Sequence, residues 1–393
     1  MKILFLTSRF PYPPIRGDKL RVFNLIRELS KDHEIVLATF AEPDDGRYYA
    51  ELKKYVSRVE PVRFSKFRAY LNCLIHPFSK TPFQVYYYQS IEMRRAVAWL
   101  MAEEKPDVIH AHLIRMAPYA LAYPGTPKVL DICDSMTLNY ERFLAYRKDL
   151  ASLLYRLEKK RTASYEGTIP AEFDTSLVIS SHDRDFVAVL GEPAKLAIVP
   201  NGVDVDYFQP WTGDAAPNRL AFMGTMSYFP NVDAMTWFAS DILPLVRRTV
   251  KDAELYIVGN SPSSEITKLD TDAAITVTGF VDDVRPFVGP AAVFVCPIRA
   301  ATGLNNKVVE AMAMGLPVVS TPEACEGIGV THGVDILLAS TPMDFAEAVT
   351  QLMTDADERK RIGDAGREFV LKNFSWSAAA DILRDVYAEV AKK

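Results

Sequence analysis

Short unbroken apolar runs, spaced by amphipathic stretches, recur along the whole chain. The first, KILFLT at Lys2 to Thr7, is apolar except at its ends. A strand covered on both faces of a parallel sheet needs that composition. A proline-rich loop carrying Gly17 follows. From Asp18 to Ser30 the pattern becomes Leu20, Phe23, Ile26 and Leu29, a helical stripe, and EIVLATF (Glu34 to Phe40) returns to the apolar run. Strand, glycine-containing loop, helix and strand, in that order, open a doubly wound α/β fold.

The alternation continues. DVIHAH (Asp107 to His112) and KVLDI (Lys128 to Ile132) predict strands, as do Thr175 to Ile179 and Leu196 to Val199. A long charged helix is expected from Asn139 to Ser164, and a shorter one from Asp183 to Val189. The histidines of DVIHAH, His110 and His112, are read as alternating across the sheet and so as poor partners for one metal. The segment VPNGVD (Val199 to Asp204) breaks both periods. Beyond it LAFMG, AELYIVG, ITVTGF, Val293 to Pro297 and Pro317 to Ser320 predict a second set of strands between helices. The expectation is two Rossmann-like α/β domains facing each other across a cleft. Residues 1–203 form the first domain, 204–217 a linker and 218–374 the second. A last helix within 375–393 is expected to pack back on the first.

Candidate chemistry concentrates in PIRAATGLNNKVVEAMAMGLPVVST, Pro297 to Thr321. It reads as strand end, glycine loop, helix, Gly-Leu-Pro turn and strand. A glycine lets a phosphate approach the backbone, and the free N–H groups of a helix start attract anions. Arg299 and Lys307 add positive charge, Asn305 and Asn306 lie in the first turn, and Glu310 shares a face with Lys307. A carboxylate there suits the two hydroxyls of a ribose. An ordinary strand–helix–strand unit with a solvated first turn is the competing reading. In the first half, Arg9, Arg16 and Arg21 surround Gly17, either facing a ligand crevice or forming a solvated basic loop. Asp131 and Asp134, at and past a strand's carboxyl end, suit proton transfer; capping by Asp134 is the alternative.

Composition narrows the classes. The 393 residues are 49% hydrophobic, enough for two cores, and 45 basic against 50 acidic groups leave −5, no general field for nucleic acid. Cys73, Cys133, Cys296 and Cys325 show no metal or redox spacing and read as reduced cysteines of a cytoplasmic protein. No leader or membrane span is expected. RFSKFRAYLNCLIHPF (Arg63 to Phe78) stands apart: Arg63, Lys66 and Arg68 interleave with Phe64, Phe67 and further apolar residues. That is the composition of an interfacial helix on an anionic inner-leaflet surface, or else of a core-packed connector. Neither half carries GxGxxG with an acidic residue on the next strand, which disfavours a dehydrogenase.

The order of these segments resembles a retaining family-4 glycosyltransferase of the GT-B fold. The matching pieces are the Gly17 loop, PNGVD, GTMSYFPN, YIVG, VTGFVDDV and KVVEAMAMGLPVVST. The subtype is similar to sugar transferases of bacterial exopolysaccharide and exosortase systems. The resemblance implies a metal-independent enzyme without cofactor, taking a UDP- or GDP-sugar to a glycan or lipid-linked acceptor. By position, Gly224 and Thr225 would lie along the diphosphate, and Phe280 and Val281 would hold the base. Gly303 and Leu304 would offer N–H groups, Lys307 would neutralise phosphate, Glu310 would bind ribose and Gly17 would close over the phosphates. The family commonly has Glu, seven residues, then Glu; here the first position is Thr302. It also commonly has Arg and Lys in the loop filled here by TMSYFPN, a charge that Arg299 would replace. Where members often have a histidine after the fifth strand this chain has DICD, making Asp134 or Asp131 the expected proton acceptor, with His112 behind them. A nucleotide-sugar 2-epimerase and a non-catalytic nucleotide-sugar-binding subunit are the alternatives.

Overall fold

The computed structural model describes residues 1–14, 17–146, 151–299 and 305–392. The chain divides into two units, Met1–Asn201 with Ala379–Lys393, and Gly202–Ala378.

In the first unit seven strands lie in one sheet, β1 (Lys2–Thr7), β2 (Glu34–Ala41), β3 (Arg58–Arg63), β4 (Val108–His112), β5 (Lys128–Cys133), β6 (Thr175–Val178) and β7 (Leu196–Ile198). Their order is β3-β2-β1-β4-β5-β6-β7, and the pairings are parallel. The apolar runs become central strands because helices cover both faces: Ile3 to Leu6 of β1 are fully buried. β3 escapes an apolar-run reading because it is polar and contains Pro61. It is the edge strand, where a missing N–H costs no ladder bond. The long charged segment forms two helices, Met136–Tyr146 and Ala151–Thr168. The carboxyl-terminal part of the last helix (Trp376–Val390) belongs to this unit: Tyr387 is buried with its hydroxyl 2.7 Å from His110 Nδ1, and Arg384 pairs with Asp32 at 2.9 Å.

The second unit holds β8 (Ala216–Met223), β9 (Glu254–Val258), β10 (Ile275–Gly279), β11 (Ala291–Cys296), β12 (Val318–Ser320) and β13 (Leu337–Leu338), in the order β10-β9-β8-β11-β12-β13, again parallel. β8 and β11 are central, and Phe222 and Phe294 stack across them. The helix Asn306–Ala313 buries Val308, Val309, Ala311 and Met312. It ends where the Gly315 N–H bonds Met312 C=O and the Leu316 N–H bonds Ala311 C=O. Gly315 takes φ +72° there, a left-handed turn that needs no Cβ. Two doubly wound parallel sheets are thus what the alternating pattern forecast.

Candidate functional site

In both units the chemistry-bearing residues cluster where the strands' carboxyl ends meet their loops, the usual ligand position in open α/β sheets. In the second unit Gly224 and Thr225 follow β8, Phe280 and Val281 follow β10, and Arg299 lies past β11. The backbone at Gly224 approaches that at Gly259 so closely that a Cβ on Gly259 would sit 1.8 Å from Gly224 O. The loop after β8 can lie low over the sheet only because both residues are glycine.

Asn231 organises this end. It is buried in the first turn of the helix Phe229–Trp237. Its Nδ2 donates to Thr225 O at 2.9 Å, and its Oδ1 accepts from Lys307 Nζ at 2.6 Å. The Lys307 ammonium also lies 5.0 Å from the centre of the Phe222 ring. Among the described residues no carboxylate pairs with it at ion-pair distance. Burial lowers its pKa, with Cys296 and Glu310 opposing. A fixed, desolvated cation without a counter-ion is what a phosphate leaving group needs. Glu310, one turn on, is half-buried, and its carboxylate has no hydrogen bond among the described residues. Burial pushes its pKa up to about 7, against the pull of Lys307. Phe280 is exposed and Val281 half-buried at the strand end, beside Gly279 at φ +66°.

Two expectations change here. Arg299 does not stand free as a substitute phosphate cation: its guanidinium grips Asp233 through Nε at 3.1 Å and Nη2 at 2.6 Å, and lies over Trp237. Asn305 turns its side chain to Ala324 O at 2.9 Å and leaves the helix start uncapped by its own side chain. Thr302, Gly303 and Leu304 lie outside the described residues, as does Arg16. Asn231 itself was not singled out from sequence; its signal was a lone amide in the first turn of the helix that follows the glycine loop, PNVDAM.

The first unit places Asp131 differently from the expectation of an accessible base. Arg21 Nε and Nη2 bond its two oxygens at 2.8 and 3.0 Å, and side-chain exposures are 1% for Arg21 and 0% for Asp131. Burial alone would raise the Asp131 pKa, but the guanidinium holds it well below the usual carboxylate range. Arg21 Nη1 also bonds Val199 O and Asn201 Oδ1. Arg21 and Asp131 thus tie the helix Gly17–Leu29 to β5 and to segment 199–201, and neither faces solvent. Asp134 is half-buried and accepts from Asn139 Nδ2 at 2.5 Å. Gly17 is the exposed first residue of its helix, with open space where a Cβ would be.

The two histidines also need correction. Residues two apart on a strand share a face, so His110 and His112 both turn to Asp131, at 3.7 Å and 3.1 Å. Ligand atoms of the three lie within 4.8 Å of one another, a spacing a metal could accept. Arg21 already occupies both Asp131 oxygens, and its charge repels a cation. His112 is the group with reactive geometry: Nδ1 is oriented by Asp131, and Nε2 is buried with no protein partner among the described residues.

In the segment read as interfacial, the helix Lys66–Leu74 leaves a continuous apolar face outside. Phe67 is 78% exposed and Phe78 96%, with Tyr70, Leu71, Leu74 and Ile75 between them. Phe64 turns inward instead, packing on Phe40, Tyr87 and Tyr88. Of the cations, Lys66 reaches Glu42 at 3.7 Å and Arg68 pairs with Glu92. No helix among the described residues is long and apolar enough to cross a membrane.

Comparison with known proteins agrees with this layout. The profile described as Glycosyltransferase Family 4 matches residues 17–207, and that described as Glycosyl transferases group 1 matches 217–355. A GDP-mannose-dependent alpha-(1-6)-phosphatidylinositol monomannoside mannosyltransferase of Mycobacterium tuberculosis is 30% identical over 54% of this chain and 61% of its own length. The chain therefore matches about three fifths of that relative. An uncharacterized 44.6 kDa protein in the cps region of Klebsiella pneumoniae is 21% identical over 95% of this chain and 96% of its own. Among solved structures, Anabaena HepE in complex with UDP superposes with a TM-score of 0.64 at 14% identity, covering 99% of this chain and 100% of that one. At that identity the likeness shows the GT-B fold.

Proposed function

The chain belongs to glycosyltransferase family 4, and on that premise we propose that it is a retaining, metal-independent glycosyltransferase. It moves a sugar from a UDP- or GDP-sugar to a glycan or lipid-linked acceptor in bacterial exopolysaccharide or cell-envelope synthesis. The observation that carries the reading is Lys307, an ammonium held on Asn231 with no counter-ion among the described residues, at the strand ends of the second unit. In the reaction the anomeric carbon–oxygen bond to the diphosphate breaks and a bond to the acceptor oxygen forms. Negative charge grows on the departing phosphate, and a preorganised cation there stabilises the transition state by about 2–4 kcal/mol. Glu310 takes the ribose hydroxyls. The acceptor hydroxyl loses its proton to His112 Nε2, whose ring Asp131 orients.

The relatives support the donor class from two sides: one is GDP-mannose-dependent by name, and one is a structure holding UDP. The relative from a cps region supports the pathway. The same reading puts the protein in the cytoplasm, peripheral on the inner membrane through the Phe67–Phe78 face. A thermal-shift screen of UDP, GDP and their sugars, followed by transfer assays on lipid-linked acceptors, tests it. Stabilisation by a nucleoside diphosphate and its sugar, then transfer, is expected. A flat screen would sink the proposal, and epimerisation of the donor without any acceptor would replace it with the 2-epimerase reading.

A further inference from the structure

Where β1 and β4 of the first unit end, two arginines share one carboxylate. Arg9 Nη1 bonds Asp18 Oδ2 at 2.7 Å, and Arg115 Nη2 approaches the same oxygen at 3.9 Å. Arg115 is held in place by Ser8 Oγ on its Nε at 2.9 Å and by the Tyr88 ring beneath its guanidinium at 4.8 Å. Ser8 and Tyr88 are buried, Arg115 is 15% exposed and Arg9 37%. The carboxylate stays ionised: burial would raise its pKa, but Arg9 and Arg115 pull it down, with a smaller pull from His112. Two guanidinium charges against one carboxylate leave a surplus positive charge on a rigid, partly desolvated support.

A second observation points to the same spot. His112 closes β4, three residues before Arg115, and its Nε2 is buried with no hydrogen-bond partner among the described residues. A proton acceptor without a donor, and guanidinium groups without a second anion, among the described residues at the ends of β1 and β4, suit one molecule carrying both a hydroxyl and an oxyanion.

We propose that Arg9 and Arg115 form an anion subsite for the acceptor, holding its phosphate or carboxylate while its hydroxyl meets His112 Nε2. This rests on the transferase reading and narrows it: the acceptor is anionic. Planar guanidinium groups suit such oxyanions because they donate in pairs. The oxyanion has two natural sources, the phosphate of a lipid-linked acceptor or the carboxylate of an acidic sugar.

The full-length protein, saturated with UDP to occupy the second unit, is titrated by calorimetry with hexyl phosphate, methyl glucuronoside and neutral methyl glucoside. One or both anions are expected to bind, and the neutral sugar at least tenfold more weakly. Arg9→Gln and Arg115→Gln should each weaken the anion at least tenfold, while Arg9→Lys recovers part of the loss. UDP affinity and the unfolding midpoint should stay within twofold and about 2 °C of wild type. Preference for hexyl phosphate assigns the lipid source, and preference for methyl glucuronoside the acidic sugar. Equal affinity of wild type and both glutamine variants for every anion, or no anion binding at all, overturns the subsite. Arginine-dependent anion binding in a protein that never binds UDP would keep the subsite and overturn the transferase reading.

Discussion

Lys307 Nζ donates to Asn231 Oδ1 at 2.6 Å, so one amide fixes both the cation of the second unit and, through Thr225 O, the loop after β8. Lys307→Met keeps the stem and removes the charge. Because burial already disfavours the ammonium, the free protein should lose no stability at neutral pH. Affinity for nucleoside diphosphate should fall and turnover drop by about 30- to 1000-fold. Calorimetry and steady-state rates check it; intact turnover would remove Lys307 from the phosphate. Asn231→Ala should weaken binding by about 1–2 kcal/mol, because the ammonium loses its anchor.

Glu310 has its pKa pushed up to about 7 by burial, which should give nucleotide binding a pH dependence. The raised value means that folding favours the protonated form. The associated stability is complete below the ordinary glutamate range and is lost as pH rises through about 7. Glu310→Gln should therefore be more stable than wild type at pH 8, by about 1–3 kcal/mol. Ribose binding runs the other way, because the carboxylate is the better acceptor. Wild-type UDP affinity should rise between pH 6 and 8, and the glutamine variant should bind more weakly with a flat profile. A wild-type profile as flat as the variant's would refute the ribose role.

His112→Gln should leave folding and UDP affinity unchanged and lower turnover by roughly 100- to 10,000-fold. Arg21→Met should behave differently, because it strands the buried Asp131 carboxylate. It should lose about 3–5 kcal/mol of stability, measured by urea unfolding. The Asp131 pKa is held low, so the pair stabilises above the ordinary carboxylate range and loses that contribution as pH falls below it. A His112→Gln protein with normal turnover would return the proton-acceptor role to Asp134.

Phe67, Leu74 and Phe78 are exposed, so changing all three to Ser should leave the unfolding midpoint within about 2 °C. Sedimentation with anionic vesicles should drop at least tenfold. Changing Arg63, Lys66 and Arg68 to Gln should reduce binding mainly at low salt, where charge is least screened. Wild type that ignores anionic vesicles would remove the membrane from the reading.

Much of the architecture was legible because periodicity is a local property. Apolar runs such as KILFLT can be satisfied only as covered strands, the Leu20–Leu29 stripe only as a helix face, and Gly315 marks a helix end by its backbone alone. Strand β3 was missed because an edge strand with Pro61 buries too little to need an apolar run. The position of the second unit's cluster was legible too, since Lys307 and Glu310 share a helix turn.

Pairing across the chain was not legible, because it depends on which loops the sheet order brings together. Arg21 sits 110 residues from Asp131, and nothing in either segment says that the two neutralise each other in the core. Only the tertiary structure turned Asp131 from an expected base into a structural anion and left His112 Nε2 without a partner among the described residues. It likewise spent Arg299 on Asp233 while leaving Lys307 with no carboxylate partner among the described residues, and put Phe64 inside but Phe67 outside. Sequence fixes what each residue can do; desolvation and partners, set by the fold, decide which of them remains free to do it.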